Sequence, residues 1–406
     1  MKKRVEKVVK EKAAGNVEDE FSKIADDYQC SGSLEMDFPE LCSLLGMKEI
    51  PAVTPRPPAS RCQSHCFCHF IGWKVDELMA RVLNKTLPAL SNLQNLHLWR
   101  AGLTGRTLTS LKNTISLCSN LRTVVLEGNP LPEQSYHLLI SEDSMLTHVS
   151  LRNNRIGEEG ARLIGSALAT AQAANNNLLS LNLAFNSIGD AGAAHIAQGL
   201  RLNRSLLCLS LANNHIGDTG ASRLAEVLGP FSLTHDEVVE RRRLLLRRDQ
   251  SVRERTAHLH TTFFKFIFLG LGQSHSFLYI FGAIWDTGQI FHPVSLHQSA
   301  ELVETVSPLL EPGVQHTGGR VILPGNTALT SLNLAGNMLS EQSLLLFLSS
   351  VGAQTEGGGL LRLCLNRNRF PPDCDSFLKI KELMSLRDPL NKTAPAQVDD
   401  EQGQAA

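Results

Sequence analysis

The densest set of possible ligands in the chain is Cys62-Gln-Ser-His65-Cys66-Phe-Cys68-His69, thiols and imidazoles of the kind that hold zinc. It has no second half, so a metal site and incidental thiols both stand open. Other catalytic signatures are missing: the sequence contains no Gly-x-x-x-x-Gly-Lys-Ser/Thr loop, no Gly-x-Ser-x-Gly elbow and no His-Glu-x-x-His pair. Phosphate-loop, serine-nucleophile and zinc-peptidase chemistry are thereby left without their residues. We assign no catalytic residue, no cofactor and no metal ligand. The residues suited to recognition are His97, Trp99, Arg100, Glu127, Arg152 and Phe185. All fall at positions that alternation along short strands turns toward solvent. Trp and Arg dominate binding hot spots, and a tryptophan on a solvent-facing strand has no core to fill. The competing expectation is that an N-terminal cap folds over this group and buries it. His148 also falls on a solvent-facing strand position, where a plain surface role is expected.

The strands themselves come from internal repetition, which decides the fold before any local feature does. Seven copies of Leu-x-x-Leu-x-Leu-x-x-Asn-x-Leu run through the chain, starting at Leu93, Leu121, Leu146, Leu178, Leu206, Leu329 and Leu360. The fourth and sixth positions of each lie on one face of a strand, because side chains alternate with period two. The ninth position is Asn129, Asn154, Asn186, Asn214, Asn337 and Asn368 in six copies and Ala101 in the first. An asparagine amide both donates to and accepts from backbone, so these six are expected to stack as a ladder between coils, with Ala101 marking an atypical end. Copies start 28, 25, 32 and 28 residues apart before a long interruption and 31 apart after it. Behind the asparagine of the fourth copy, Ala193, Ile196, Ala197 and Leu200 follow the spacing of one helix face. Each coil then reads as strand, turn, helix and return loop, and the fold class is an α/β solenoid with a parallel sheet.

This pattern resembles the ribonuclease-inhibitor-like class of leucine-rich repeat proteins over residues 73–233 and 326–390. The resemblance implies a right-handed horseshoe with the parallel sheet on its concave face and helices on its convex one. It also implies a non-enzymatic scaffold that holds another protein or peptide in that concave face, as a monomer within a larger complex. Similar proteins occur in ciliary axoneme complexes, which implies a cytoplasmic or ciliary setting. The class also includes activators of the nuclear-transport GTPase, which implies GTPase regulation as an alternative, since such proteins act through the GTPase's own site. The spacing of Cys62, Cys66 and Cys68 is similar to the disulfide cap of secreted leucine-rich repeat proteins, without a fourth cysteine or a signal peptide.

Composition sets the remaining bounds. Lys+Arg 39 against Asp+Glu 40 excludes a nucleic-acid binder that works through a global basic field. Apolar content of 42% with 5% aromatics predicts an aliphatic core. The charged start Met-Lys-Lys-Arg-Val-Glu-Lys-Val-Val-Lys and nine cysteines, an odd number, read as an unexported chain with free thiols. On that reading the sequons at Asn84, Asn203 and Asn391 are sequons in form only. Residues 1–72 read as a largely disordered tether, 73–233 as a cap helix with coils one to five, 234–325 as an insertion, 326–390 as coils six and seven with a second cap, and 391–406 as a disordered tail. Trp73–Val82 is the first expected cap, ending before Pro88, and Phe377–Met384 the second, ending before Pro389. Within the insertion, the basic run Glu240–Arg248 is expected to continue the helix of coil five. Two apolar runs, Phe263–Gly272 and Phe277–Trp285, are each too short to span a membrane. Ala300–Ser307 reads as helix, and Arg320–Asn326 as a strand leading back into the array.

Overall fold

The computed structural model describes residues 27–51, 66–71, 73–270, 307–311, 313–354 and 358–388. The chain divides into two units, Met1–Phe231 with Pro324–Ala406, and Ser232–Leu323.

The first unit is an α/β solenoid. Its sheet holds β1 (Cys66–Ile71), β2 (Leu93–Trp99), β3 (Thr123–Val125), β4 (His148–Ser150), β5 (Ser180–Asn182) and β6 (Cys208–Ser210). Past three short strands described below, β10 (Ser331–Asn333) and β11 (Arg362–Cys364) complete it. All neighbours are parallel, and one row of residues, Leu96, Val124, Val149, Leu181, Leu209, Leu332 and Leu363, buried except for the half-buried Leu363, stays in register across seven strands. Between strands run α1 (Leu34–Leu44) ahead of β1, then α2 (Glu77–Ala89), α3 (Gly105–Leu117), α4 (Glu158–Leu168), α5 (Gly189–Leu200) and α6 (Asp218–Leu228). The helix faces anticipated from spacing are buried, as at Ala193, Ile196, Ala197 and Leu200. Small residues let the helices close up: a Cβ on Gly199 would collide with the Gly165 carbonyl oxygen of the neighbouring helix. Coil two departs from the pattern. At 25 residues it is the shortest, and a 3₁₀ turn, Ser135–Leu139, replaces its helix around the fully buried Tyr136.

The expected asparagine ladder is present. Ala101 N–H donates to Asn129 Oδ1 at 2.6 Å, Asn129 N–H to Asn154 Oδ1 at 2.7 Å, and Asn154 N–H to Asn186 Oδ1 at 2.8 Å. Each amide nitrogen reaches back to the preceding coil, Asn129 to the Leu98 carbonyl, Asn154 to Leu126, Asn186 to Leu151 and Asn214 to Leu183. Across the interruption nothing changes: Asn214 N–H donates to Asn337 Oδ1 at 2.9 Å, Asn337 returns a bond to the Leu211 carbonyl, and Asn368 reaches Leu334.

A second ladder, which the repeat template does not reveal, runs through the return loops. The Asn175, Asn203 and Asn326 amides each donate to the previous coil, at the Ile140, Leu168 and Leu200 carbonyls. Each also accepts from N–H groups at the start of its own strand segment. Gln354 forms the last rung. Asn203 is buried with both amide atoms engaged, so its sequon is closed by the fold itself.

The second ladder also locates the interruption. Asn175 and Asn203 are 28 positions apart, Asn203 and Asn326 are 123 apart. Taking out the 95 residues 230–324 restores 28. Leu228-Gly229-Gly325-Asn326 would then stand where coil four has Leu200-Arg201-Leu202-Asn203. The two ends meet: Asn326 N–H donates to the Val227 carbonyl at 2.7 Å.

Several expectations are corrected at the ends. The segment read as a tether contributes α1 and β1. The register of β1 on β2 sets Cys68 beside Leu96 and Phe70 beside Leu98, so an additional coil precedes the first repeat. Its helix is α2, expected as a cap, which starts at Asp76 accepting from Met79 N–H at 2.9 Å and runs through Pro88 to Ala89. Trp73 stands in the ladder position of this coil, and the cap is α1, whose buried Phe38 lies 5.3 Å from the Trp73 ring. Burial pushes the Asp37 carboxyl up, but hydrogen bonds from Ser31, Tyr28 and Gly32 outweigh it and hold the pKa below the usual range. At the far end, α8 (Glu341–Gly352) is followed by α9 (Asp375–Arg387), and Arg387 donates to the Val351 and Gln354 carbonyls. Residues 391–406 lie outside the described ones.

In the second unit, the basic run does not continue the helix of coil five. That helix, α6, stops at Leu228 before Gly229-Pro230, and β7 (Phe231–Ser232) follows. A new helix, α7 (His235–Gly270), opens on a reciprocal pair, Glu237 Oε2 accepting from Thr234 N–H and Thr234 Oγ1 from Glu237 N–H. β8 (Gln315–Thr317) and β9 (Arg320–Leu323) form an antiparallel hairpin about Gly318 and Gly319, both at positive φ. Arg320–Leu323 thus pairs outside the main sheet and does not lead directly into it. Phe263–Gly270 lies on the α7 backbone, while 271–306, with the second aromatic run and the expected helix at 300, lies outside the described residues. Among the described residues, no helix is long and apolar enough to cross a membrane.

Joining Gly229 directly to Gly325 is expected to leave a single cooperative melt with a loss of no more than about 3 kcal/mol, the burial of Phe231; loss of cooperative melting on thermal denaturation would show the insertion to be integral. Asn186→Ala orphans buried N–H and carbonyl groups on two coils and is expected to cost about 3 kcal/mol or more, comparable to the roughly 2–5 kcal/mol of Leu183→Ala, both read by urea denaturation.

Candidate functional site

The turn that carries the ladder also dictates what stands on the open side of the sheet. The residue before each ladder position, six asparagines and Ala101, turns left-handed: φ is +49° at Arg100, +70° at Gly128, +60° at Asn153, +59° at Phe185, +55° at Asn213, +69° at Gly336 and +59° at Arg367. Four of the seven are glycine or asparagine, the residues that tolerate this region. Arg100, Phe185 and Arg367 carry its cost without that tolerance.

Only His97 and Trp99 of the six recognition residues lie on a strand. Arg100, Glu127, Arg152 and Phe185 belong to the turns that follow β2, β3, β4 and β5, a difference that arises because β3 to β5 are three residues long. Trp99 is 40% exposed and Phe185 47%, so among the described residues no cap covers them; His97 is half-buried. The Arg100 guanidinium lies over the Trp99 ring at 4.5 Å, and the Arg152 guanidinium over the Phe185 ring at 4.3 Å. Glu127 joins the second pair, with Oε1 accepting from Ser150 Oγ at 2.6 Å and Oε2 3.9 Å from Arg152. Arg100 reaches toward the same coil. Its N–H donates to the Glu127 carbonyl at 3.0 Å, and its stem crosses Gly128, where a Cβ would meet it at 2.8 Å. The structure therefore joins Glu127, Arg152 and Phe185 in one contact chain and sets the Trp99 and Arg100 pair beside it.

Magnitudes show what these contacts do for the fold. An exposed cation–π pair is worth about 0.5–1 kcal/mol and an exposed ion pair about 0–1. A left-handed non-glycine residue costs about 1–2 kcal/mol. Phe185 is thus close to neutral or costly for stability.

Sequence reasoning passed over Arg122 and Arg155, half-buried and exposed on the same coils, and Arg362, Arg367 and Arg369 at the far end, all exposed. Tallying charge over the repeat template, rather than along the chain, would have found them. Beyond the group, coils five and six present Ser210, Ala212, Asn333 and Ala335, with Ala212 buried. His148 is exposed and its Nδ1 lies 2.8 Å from Thr147 Oγ1.

The described cysteines Cys30, Cys42, Cys118, Cys208, Cys364 and Cys374 are free thiols, and burial pushes Cys42 and Cys118 up to about 11. Cys62 and His65 fall outside the described residues, and Cys66, Cys68 and His69 lie on β1. Among the described residues, no group of three or more His, Cys, Asp or Glu side chains is placed to hold a metal ion.

A family model described as Leucine Rich repeat matches residues 142–165, 174–197 and 202–225. These matches fall on coils three, four and five, the coils that supply Arg152 and Phe185.

Replacing Phe185 by asparagine, the residue found at the same turn position in coils three and five, is expected to leave the melting temperature unchanged or raise it by a few degrees. A drop equivalent to more than about 2 kcal/mol in differential scanning calorimetry would show Phe185 to be part of the framework.

Proposed function

We propose that this chain, a leucine-rich repeat protein, is a non-catalytic scaffold that holds another protein against the N-terminal half of its sheet face, with Trp99, Arg100, Arg152 and Phe185 as anchors and His97 and Glu127 beside them. The observation that carries this reading is Phe185: a large aromatic, half out in solvent, held in a left-handed backbone conformation that four of the seven equivalent turns give to glycine or asparagine. Leucine-rich repeat proteins bind other proteins, and the ladder holds these turns without further ordering, so little conformational entropy is lost on association. Two arginines stacked on two aromatics form the type of cluster from which interface hot spots are built. The resemblance to axonemal members of the class makes ciliary proteins the first partners to assay.

The test is affinity capture from a ciliated-cell lysate with wild type and with a Trp99→Ala/Arg152→Ala double variant, alongside melting curves for both. The variant is expected to melt within a few degrees of wild type and to lose a defined set of captured proteins. Retention of the full set by a folded variant would remove this face as the working surface.

A further inference from the structure

The open side of the sheet has a charge quite unlike that of the chain. The seven ten-residue segments that run from each leucine start through the residue after the ladder position are 93–102, 121–130, 146–155, 178–187, 206–215, 329–338 and 360–369. They hold Arg100, Arg122, Arg152, Arg155, Arg362, Arg367 and Arg369, no lysine, and a single acidic residue, Glu127. The whole chain carries a formal charge of −1. Acidic residues sit elsewhere, at helix starts such as Glu158, Glu159 and Asp218. Strands and turns are therefore cationic against an otherwise balanced molecule, and a cationic surface selects an anionic partner.

The geometry narrows the anion. The Arg100 and Arg152 guanidiniums lie over the Trp99 and Phe185 rings, and a guanidinium held there presents a fork of N–H donors that suits a planar carboxylate. The Glu127 contact with Arg152, at 3.9 Å, is longer than a hydrogen bond and does not saturate it. Arg122, by contrast, already gives a guanidinium nitrogen to the Ser119 and Leu121 carbonyls. Arg100 and Arg152 stand two strands apart, about 10 Å, too far for one carboxylate to serve both and within reach of two on one segment. A nucleic-acid backbone would need an unbroken row of cations. Here the segments of coils four to six contain no Arg or Lys, and Glu127 lies within the basic group.

We infer that the occupant of this face is an acidic protein segment, whose carboxylates pair with Arg100 and Arg152 and whose apolar side chains rest on Trp99 and Phe185. This rests on the binding role proposed above for the same face and adds the chemical class of the partner.

The test uses the full chain and fluorescence anisotropy with three labelled probes: a twelve-residue peptide of three Glu-Ala-Leu-Glu units, the same peptide with glutamine for glutamate, and a twelve-nucleotide oligothymidylate. The glutamate peptide is expected to bind at low salt, at least about tenfold more tightly than the glutamine peptide, and to weaken as salt rises. Arg100→Gln/Arg152→Gln is expected to lose about tenfold or more while melting as wild type, and Arg362→Gln to bind as wild type. Equal binding of the two peptides, or tighter binding of the oligothymidylate, overturns the acidic-segment assignment. So does a folded Arg100→Gln/Arg152→Gln variant that binds as wild type. If no peptide binds but the Trp99→Ala/Arg152→Ala variant still loses its captured proteins, the face stands and the acidic class falls. If neither effect is seen, both fall.

Discussion

A buried turn must find partners for backbone groups that its own three-residue strand cannot satisfy, and in this protein the asparagine amide is what supplies them. One side chain accepts from the coil before it through Oδ1 and donates to that coil's leucine carbonyl through Nδ2, as Asn154 does toward Asn129 and Leu126. Because this uses both ends of the amide, neither aspartate nor serine would serve equally. The residue before the ladder position is left-handed in every coil, the first included, where Ala101 replaces the asparagine, and so the turn itself determines which side chains stand out on the open face. Trp99, Arg100 and Phe185 are consequences of the ladder in position and additions to it in chemistry.

The same constraint explains how the solenoid carries a long interruption. Loop closure costs grow slowly with length, whereas a missing rung leaves buried groups unpaired. The 95 residues leave and return between two rungs of the second ladder, after Gly229 and before Gly325, where coil four needs only two residues. Asn214 meets Asn337, and Asn203 meets Asn326, as though they were consecutive. At the N-terminal end the ladder stops at Ala101, Trp73 replaces the next asparagine, and an aromatic contact with Phe38 of α1 closes the stack.

Much of this was legible in the sequence because a leucine or valine at every core position of a repeat strand is a strong signal. The six ladder asparagines and the helix faces followed from spacing alone. The coil before the first repeat was not legible, since Cys68 and Phe70 stand beside the leucines and a tryptophan stands for the asparagine. Asn175, Asn203 and Asn326 escaped notice because they lie three residues ahead of the template, in loops whose length varies. The residues proposed for recognition were chosen by type, and their placement on strands was wrong for Arg100, Glu127, Arg152 and Phe185. Pattern alternation extends a strand on paper, while the ladder bends the chain after three residues. The left-handed strain at Phe185, the most informative feature of the site, has no sequence signal apart from comparison with Gly128, Asn153 and Asn213 at the same turn.

Amide hydrogen exchange on the full chain tests the continuity of the ladder most directly. The Asn214 and Ile216 amides, which donate to Asn337 across the interruption, are predicted to open with a free energy within about 1 kcal/mol of the Asn129 and Asn154 amides, as members of one cooperative unit. Exchange at Asn214 and Ile216 faster by about a thousandfold, with Asn129 and Asn154 still protected, would contradict it and show the array to end before the insertion.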